Sequence, residues 1–331
     1  MIAVLGAGAW GTTIAKVVAD AGHEVVLWAR DEGVVREINE THTNEAYVPS
    51  LALPAAISAS ADLTATVESA STLIVALPSQ VARESLSGLA PHVREGATVV
   101  SLMKGIELGT DLRMSQVLGQ VLGLAEGQIV VLSGPNLSRE IAAGQPAASV
   151  LACTDIERAT DASALFATSY FRPYTTDDVV GVELAGAVKN VIALAVGMAV
   201  GKGYGDNTTA TIITRGLAEI TRLAVALGGE LQTMAGLAGM GDLVATCSSD
   251  LSRNHRLGKF LGQGMDLEEA LVATGGTAEG AKSSRSVAHL AESMGVEMPI
   301  TRAVVAVLYQ GLTVDEMTRH LLARPRKDER E

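Results

Sequence analysis

Residues 6–11 read GAGAWG, a GxGxxG placed between the apolar run MIAVLG and the helical stretch AWGTTIAKVVADAG. Few short sequences restrict a fold more. A strand that runs through such a loop directly into a helix opens a βαβ unit. Gly6 makes the tight turn, Gly8 lets a pyrophosphate approach the backbone, and Gly11 allows close helix-to-strand packing. Ala9 and Trp10 lie at the helix start, where free amides favour an anion. The alternative, a structural glycine turn, lacks a reason for this context.

The strand signal repeats. HEVVLWAR, TLIVALP, ATVVSLM, QIVVLSG and ASVLAC are short apolar runs alternating with helical segments such as DEGVVREINE. They do not alternate apolar with polar, as expected of parallel strands covered on both faces. Beyond about Thr176 the strand signal fades and helical periodicity takes over. ATIITRGLAEITRLAVALG reads as a long amphipathic helix with Asp206-Asn207-Thr208 at its start and Gly228 at its stop. LSRNHRLGKFLGQG, LEEALVATGG, AKSSRSVAHLAESMG and ITRAVVAVLYQG follow as shorter helices. The expected architecture is an α/β Rossmann-type domain with a mostly parallel sheet over 1–178. An all-α domain follows over 179–323, then a charged tail over 324–331.

Composition narrows the partners. Hydrophobic residues make up 48% of the 331-residue chain, enough for two cores, and aromatics only 3%, so Ala, Val, Ile, Leu and Met must build them. A net charge of −12 argues against nucleic acid, whose phosphates require a basic face. A small anionic substrate stays open, since a pocket can be locally basic. The two cysteines, Cys153 and Cys247, match no metal-ligand spacing, and no metal is expected. The N-terminal run has no basic residues before it and does not read as a signal peptide. These features point to the reducing cytoplasm and to no stable membrane insertion.

Several residues at strand ends are placed for binding. Strand two ends in Arg30-Asp31, where a ribose-reading residue is expected. An arginine there accommodates a 2′-phosphate and a carboxylate the 2′-hydroxyl. With Arg30 first, NADPH is favoured and NADH tolerated; a solvated surface arginine is the alternative. Ser79 and Gln80 in ALPSQ, and Lys104 in SLMKGIE, follow later strands at the ligand-binding edge, although Lys104 alone reads equally as a surface lysine.

The stretch LAGAVKNVIALAVGMAV places Lys189 within an almost wholly apolar helix. Two accounts fit. The side chain snorkels to solvent along its stem, or it faces an interdomain cleft, where desolvation lowers its pKa and suits it to general acid-base work. Asp242 and Asn190 are the candidates to orient it. Further on, GLAGMGDLVATCSSDLSRNHRLG carries clustered glycines, Asp242, and a helix opening at Ser252-Arg253-Asn254. Such a start can bind phosphate through free amides and a guanidinium fork. Equally, it can be an ordinary cap beside a surface arginine.

Taken together, GAGAWGTTIA, GHEVVLWARD, NEAYVP, LPSQ, KGIE, SGPNLSREIAAGQP, GVELAGAVKNVIAL, TRGLAE, GMGDLVATC, SRNHRLG and VEMPIT resemble, in order, the bacterial NAD(P)-dependent glycerol-3-phosphate dehydrogenases. The resemblance runs from residue 1 to about Thr301. It implies reversible reduction of dihydroxyacetone phosphate to sn-glycerol 3-phosphate, serving glycerophospholipid synthesis. It makes Lys189 the proton donor and acceptor. It assigns Lys104, Gly134, Asn136, Asp242, Ser252, Arg253 and Asn254 to substrate, and Lys104, Ser138, Arg253, Thr277 and Glu279 to the cofactor. A homodimer is expected; an apolar helix such as ITRAVVAVLYQG can bury a face in it, although packing within the chain would use the same face. Ala9, Asn136 and Met103 depart from the family's usual residues, which implies altered affinity rather than lost activity. Rival readings are a ketopantoate or 3-hydroxyacid dehydrogenase, for which a phosphate cradle has no use, and a non-catalytic dinucleotide sensor, for which Lys189 has none.

Overall fold

A computed structural model describes residues 1–275, 278–325 and Asp328. The first half forms one eight-stranded sheet of β1 (Ile2–Leu5), β2 (Val25–Trp28), β3 (Ile57–Ser60), β4 (Thr72–Val75), β5 (Thr98–Ser101), β6 (Ile129–Ser133), β7 (Ala147–Ala152) and β8 (Phe171–Thr176). The strand order is β3-β2-β1-β4-β5-β6-β7-β8. Neighbours run parallel except β6 and β7. Every residue of β1 and β6 is buried, which is why those strands carry no polar alternation.

Two strands, β3 (ISAS) and β8 (FRPYTT), escape the apolar pattern. Each is an edge strand with exposed positions. Pro173 has no amide to donate, which an edge tolerates. The chain leaves β1 toward β2 and β3, then returns on the other side through β4. The resulting crevice lies beyond the carboxyl ends of β1 and β4, the ligand position of such sheets. Register aligns Leu5 with both Trp28 and Val75, so Gly6, Ala29 and Ala76 share one edge.

The second half wraps around one helix, Val179–Gly201, buried along nearly its whole length. Among the described residues it is the one helix long and apolar enough to cross a membrane, and 94% of its apolar window is enclosed by this fold. Helices Asp206–Ala226, Asp242–Ser248, Arg253–Gly262, Glu279–Ser293 and Pro299–Tyr309 pack against it, with Leu267–Thr274 resting on Arg253–Gly262 and, on Pro299–Tyr309, Val314–Leu322. The last was not apparent from sequence. Asp206 begins its helix after Gly205, so Asp206-Asn207-Thr208 form the first turn rather than a side-chain cap. Of the tail 324–331, Arg324 pairs with Glu297 at 3.0 Å; residues 326, 327 and 329–331 lie outside the described residues.

The buried helix meets Arg253–Gly262 backbone to backbone. A Cβ on Gly197 would stand 2.1 Å from His255 O, and one on Gly258 2.2 Å from Leu194 O. Backbone cannot swing aside as a side chain can. Gly258→Ala is therefore expected to lower stability by about 1–3 kcal/mol, the scale of overpacking. A urea titration checks this. A stability unchanged from the parent would mean that the helices separate freely.

Candidate active site

Gly6 leaves β1 with φ +115°, and a Cβ there would lie 2.8 Å from Ala76 O. Gly11 faces Gly6 O so closely that a Cβ would stand 1.9 Å away. Gly8 has nothing within 4 Å of its Cβ position, leaving its backbone open to a ligand. Gly8 also caps the helix Ala9–Asp20 without any side-chain acceptor, and the first turn holds no acid. The amides at Ala9 and Trp10 are thus available to an anion, and Trp10 Nε1 is buried without a partner. These features fit the pyrophosphate of a dinucleotide. Asn44, unassigned from sequence, braces the loop by donating to Ala7 O at 3.0 Å and Thr12 Oγ1 at 2.8 Å.

At the end of β2, Asp31 accepts from Gly33 N at 2.7 Å and caps the next helix. Its carboxylate is engaged, whereas Arg30 is exposed. Arg30→Ala is expected to weaken NADPH binding by about 1.5–3 kcal/mol, the worth of a hydrogen bond to a charged group. NADH binding should change much less. Equal losses for both cofactors in a fluorescence titration would remove Arg30 from this role.

Lys189 is buried, with 6% of its surface exposed, so it does not snorkel to solvent. Its ammonium donates to Asp242 Oδ1 and, at 2.6 Å, to Thr246 Oγ1. Lys104 donates to the other oxygen of Asp242 at 2.7 Å and to Gly134 O at 3.1 Å. One carboxylate, itself 1% exposed, therefore joins two lysines from opposite halves of the chain. A wide turn of helix at Leu237–Gly241 precedes Asp242 and delivers it to this junction. Burial lowers the pKa of Lys104 to about 8, with Lys189 pushing the same way and Asp242 opposing. Thr246 lies one helical turn beyond Asp242 and was not anticipated. Asn190 does not orient Lys189; it pairs with Asn254 instead.

Near these lysines several buried polar atoms have no partner: Ser133 Oγ, Asn136 Nδ2 and Ser283 Oγ. Asn136 is held in place where its Oδ1 accepts from Ser149 Oγ at 2.5 Å. Gly134 has φ +146° and backs onto Ser149. Unpaired buried donors are costly, which makes them natural contacts for a ligand.

The helix Arg253–Gly262 is capped by Ser252, whose Oγ accepts from His255 N at 3.2 Å. The hydroxyl proton of Ser252 and the amides of Arg253 and Asn254 stay available, and no acid occupies the first turn. The Arg253 side chain is exposed. Asn254 is less free than expected, because its Nδ2 donates to Asn190 at 2.9 Å and its Oδ1 accepts from Gly280 N at 2.9 Å. Across the crevice, Ser79 beyond β4 donates to Glu279 at 2.5 Å. Gln80 donates to Ile106 O at 2.8 Å and accepts from Leu108 N at 2.9 Å, which ties down that loop. Ser138 begins a short helix against the first one, its carbonyl accepting from Thr13 Oγ1 at 3.3 Å. Thr277 lies outside the described residues.

A sheet edge open to a dinucleotide, facing buried lysines that share one carboxylate, defines a nicotinamide-dependent dehydrogenase. Sequence comparison makes the class specific. Residues 1–159 match the N-terminal domain, and residues 178–319 the C-terminal domain, of NAD-dependent glycerol-3-phosphate dehydrogenase, and the chain belongs to that family. It is 53% identical to glycerol-3-phosphate dehydrogenase [NAD(P)+] of Corynebacterium urealyticum over 99% of both chains. It is 54% identical to that of Thermobifida fusca over 99% of this chain and 98% of the relative. The crystal structure of the Coxiella burnetii glycerol-3-phosphate dehydrogenase superposes with a TM-score of 0.93 at 37% identity, covering 98% of each chain.

Proposed function

We propose that this enzyme reduces dihydroxyacetone phosphate to sn-glycerol 3-phosphate reversibly, with Lys189 as the acid-base group and Arg253 as the phosphate anchor. The observation that carries the reading is the shared carboxylate: Asp242 holds Lys104 and Lys189 together in a buried site. When bound, the nicotinamide supplies or accepts the hydride. Gly6, Gly8, Ala9, Trp10 and Gly11 hold its pyrophosphate, Arg30 favours the phosphorylated form, and Ser79, Lys104, Ser138, Arg253 and Glu279 complete the cofactor contacts.

The substrate carbonyl faces Lys189, which polarises it and gives a proton to the oxygen as the alkoxide develops. Lys104 adds a second positive charge, and Asp242 keeps both ammonium groups tolerable in the interior. Gly134 and Asn136 line the substrate, with Asn136 Nδ2 free to donate. The phosphate lies at Ser252, Arg253 and Asn254, where the last contributes its backbone amide and its remaining side-chain proton. Steady-state assays with NADPH and NADH against phosphorylated and unphosphorylated ketones test this. Activity restricted to a carboxylate-bearing ketone would overturn it.

Lys104 sets a pH dependence. Its positive charge beside the developing alkoxide favours reduction, so kcat for reduction is expected to fall as pH rises through about 8, where burial has brought the Lys104 ammonium. Asp242→Asn removes the counter-charge that raises the Lys104 pKa, so its limb should move to lower pH. A limb that stays in place in this variant would detach Asp242 from the titration.

The exposed apolar side chains Leu231, Val272 and Leu322 support pairing as a homodimer. The face of Pro299–Tyr309 on which that expectation first rested is used within the chain, by Ile300, Val304 and Leu308. The buried free thiols Cys153 and Cys247 accord with a reducing cytoplasm, where the product would enter glycerophospholipid synthesis.

A further inference from the structure

Three buried residues, Asn190, Asn254 and Gly280, meet where three helices join. The direction of their hydrogen bonds is fixed by a group that cannot turn over. Gly280 N is a backbone donor in the first turn of Glu279–Ser293, a helix whose N-cap, Ala278, offers no side-chain acceptor. Asn254 must therefore present Oδ1 to it, at 2.9 Å. That turns Asn254 Nδ2 toward Asn190, which accepts through Oδ1 at 2.9 Å. The packing is equally close, since a Cβ on Gly280 would lie 2.5 Å from Asn190 O.

Each member is the chain neighbour of a residue with a proposed role. Lys189 precedes Asn190, Arg253 precedes Asn254, and Glu279 precedes Gly280. Glu279 in turn accepts from Ser79, at the edge of the cofactor half. A group that fixes the start of the Arg253 helix must act, through the Asn254 side chain, on the start of the Glu279 helix. We propose that Asn190 is a positioning residue that locks this joint, and that the joint couples phosphate binding at Arg253 to the contact of Glu279 with the cofactor half. The inference rests on the site roles proposed above. Coupling of this kind is reciprocal, so each ligand tightens the other.

The test uses a non-reacting pair, NADPH with sn-glycerol 3-phosphate, both already reduced. NADPH is titrated by fluorescence alone and with saturating sn-glycerol 3-phosphate. In the wild type the second ligand is expected to tighten NADPH roughly tenfold, within the usual range of coupling between sites. Asn190→Ala should bind NADPH alone as well as the wild type does and lose the tightening. Asn190→Asp retains an acceptor for Asn254 and should keep most of it. Asn190→Leu, of similar volume but without the acceptor, carries the test if the alanine variant does not fold. Full tightening in either acceptor-free variant, or none in the wild type, overturns the coupling. A wild type that binds no sn-glycerol 3-phosphate overturns the proposed function itself, and the coupling with it.

Discussion

Lys189→Ala is expected to lower kcat for reduction by about 10²–10⁴-fold, the usual effect of removing an acid-base group. Loss of positive charge beside the developing alkoxide adds to the deficit. NADPH affinity should stay near the parent value, because the glycine loop and Arg30 lie on the opposite half of the chain from Lys189. The variant also leaves Asp242 with Lys104 as its sole lysine partner, so some loss of stability should accompany the loss of rate. Lys189→Arg should be nearly as slow. A guanidinium keeps its proton throughout the working pH range and does not fit the compact space between Asp242 and Thr246. Lys202, on the surface and paired with Asp315 at 2.9 Å, is the control that should tolerate alanine.

Arg253→Ala is expected to raise the substrate KM about 10²-fold or more, as two charge-assisted hydrogen bonds to phosphate are lost. Arg253→Lys should recover only part of it, because a point charge cannot reproduce the fork. The backbone amides at the helix start survive both changes, so some preference for the phosphorylated ketone should remain. Equal use of dihydroxyacetone and its phosphate by the parent enzyme would leave no phosphate site for Arg253 to serve.

The inner strands were legible in the sequence because a parallel sheet buried on both faces demands unbroken apolar runs. β3 and β8 were not, because an edge strand relaxes that demand: ISAS is half polar and FRPYTT carries a proline. The glycine loop was legible because its three glycines answer to separate steric needs within six residues. Lys189 stood out as a charge in an apolar helix, but its partner lies 53 residues further on. Nothing local indicates that Asp242 would also receive Lys104 from the other half of the chain. Thr246 looks like any helical threonine until the fold places it against the ammonium. Asn190 was misread for a related reason: adjacent residues on a helix point about 100° apart, so the neighbour of Lys189 turns toward a different helix. Asp31 illustrates the same limit, since only the structure shows its carboxylate used for capping, while Arg30 beside it is exposed.

The central claim is that Lys189 moves the proton that accompanies hydride transfer. Single-turnover reduction of dihydroxyacetone phosphate by enzyme preloaded with NADPH, followed by nicotinamide absorbance, tests it directly. Parent enzyme and Lys202→Ala should show the same fast transient, and Lys189→Ala a transient slower by about 10² or more at equal cofactor occupancy. A Lys189→Ala transient as fast as that of the parent would contradict the account and leave Lys189 a buried structural partner of Asp242.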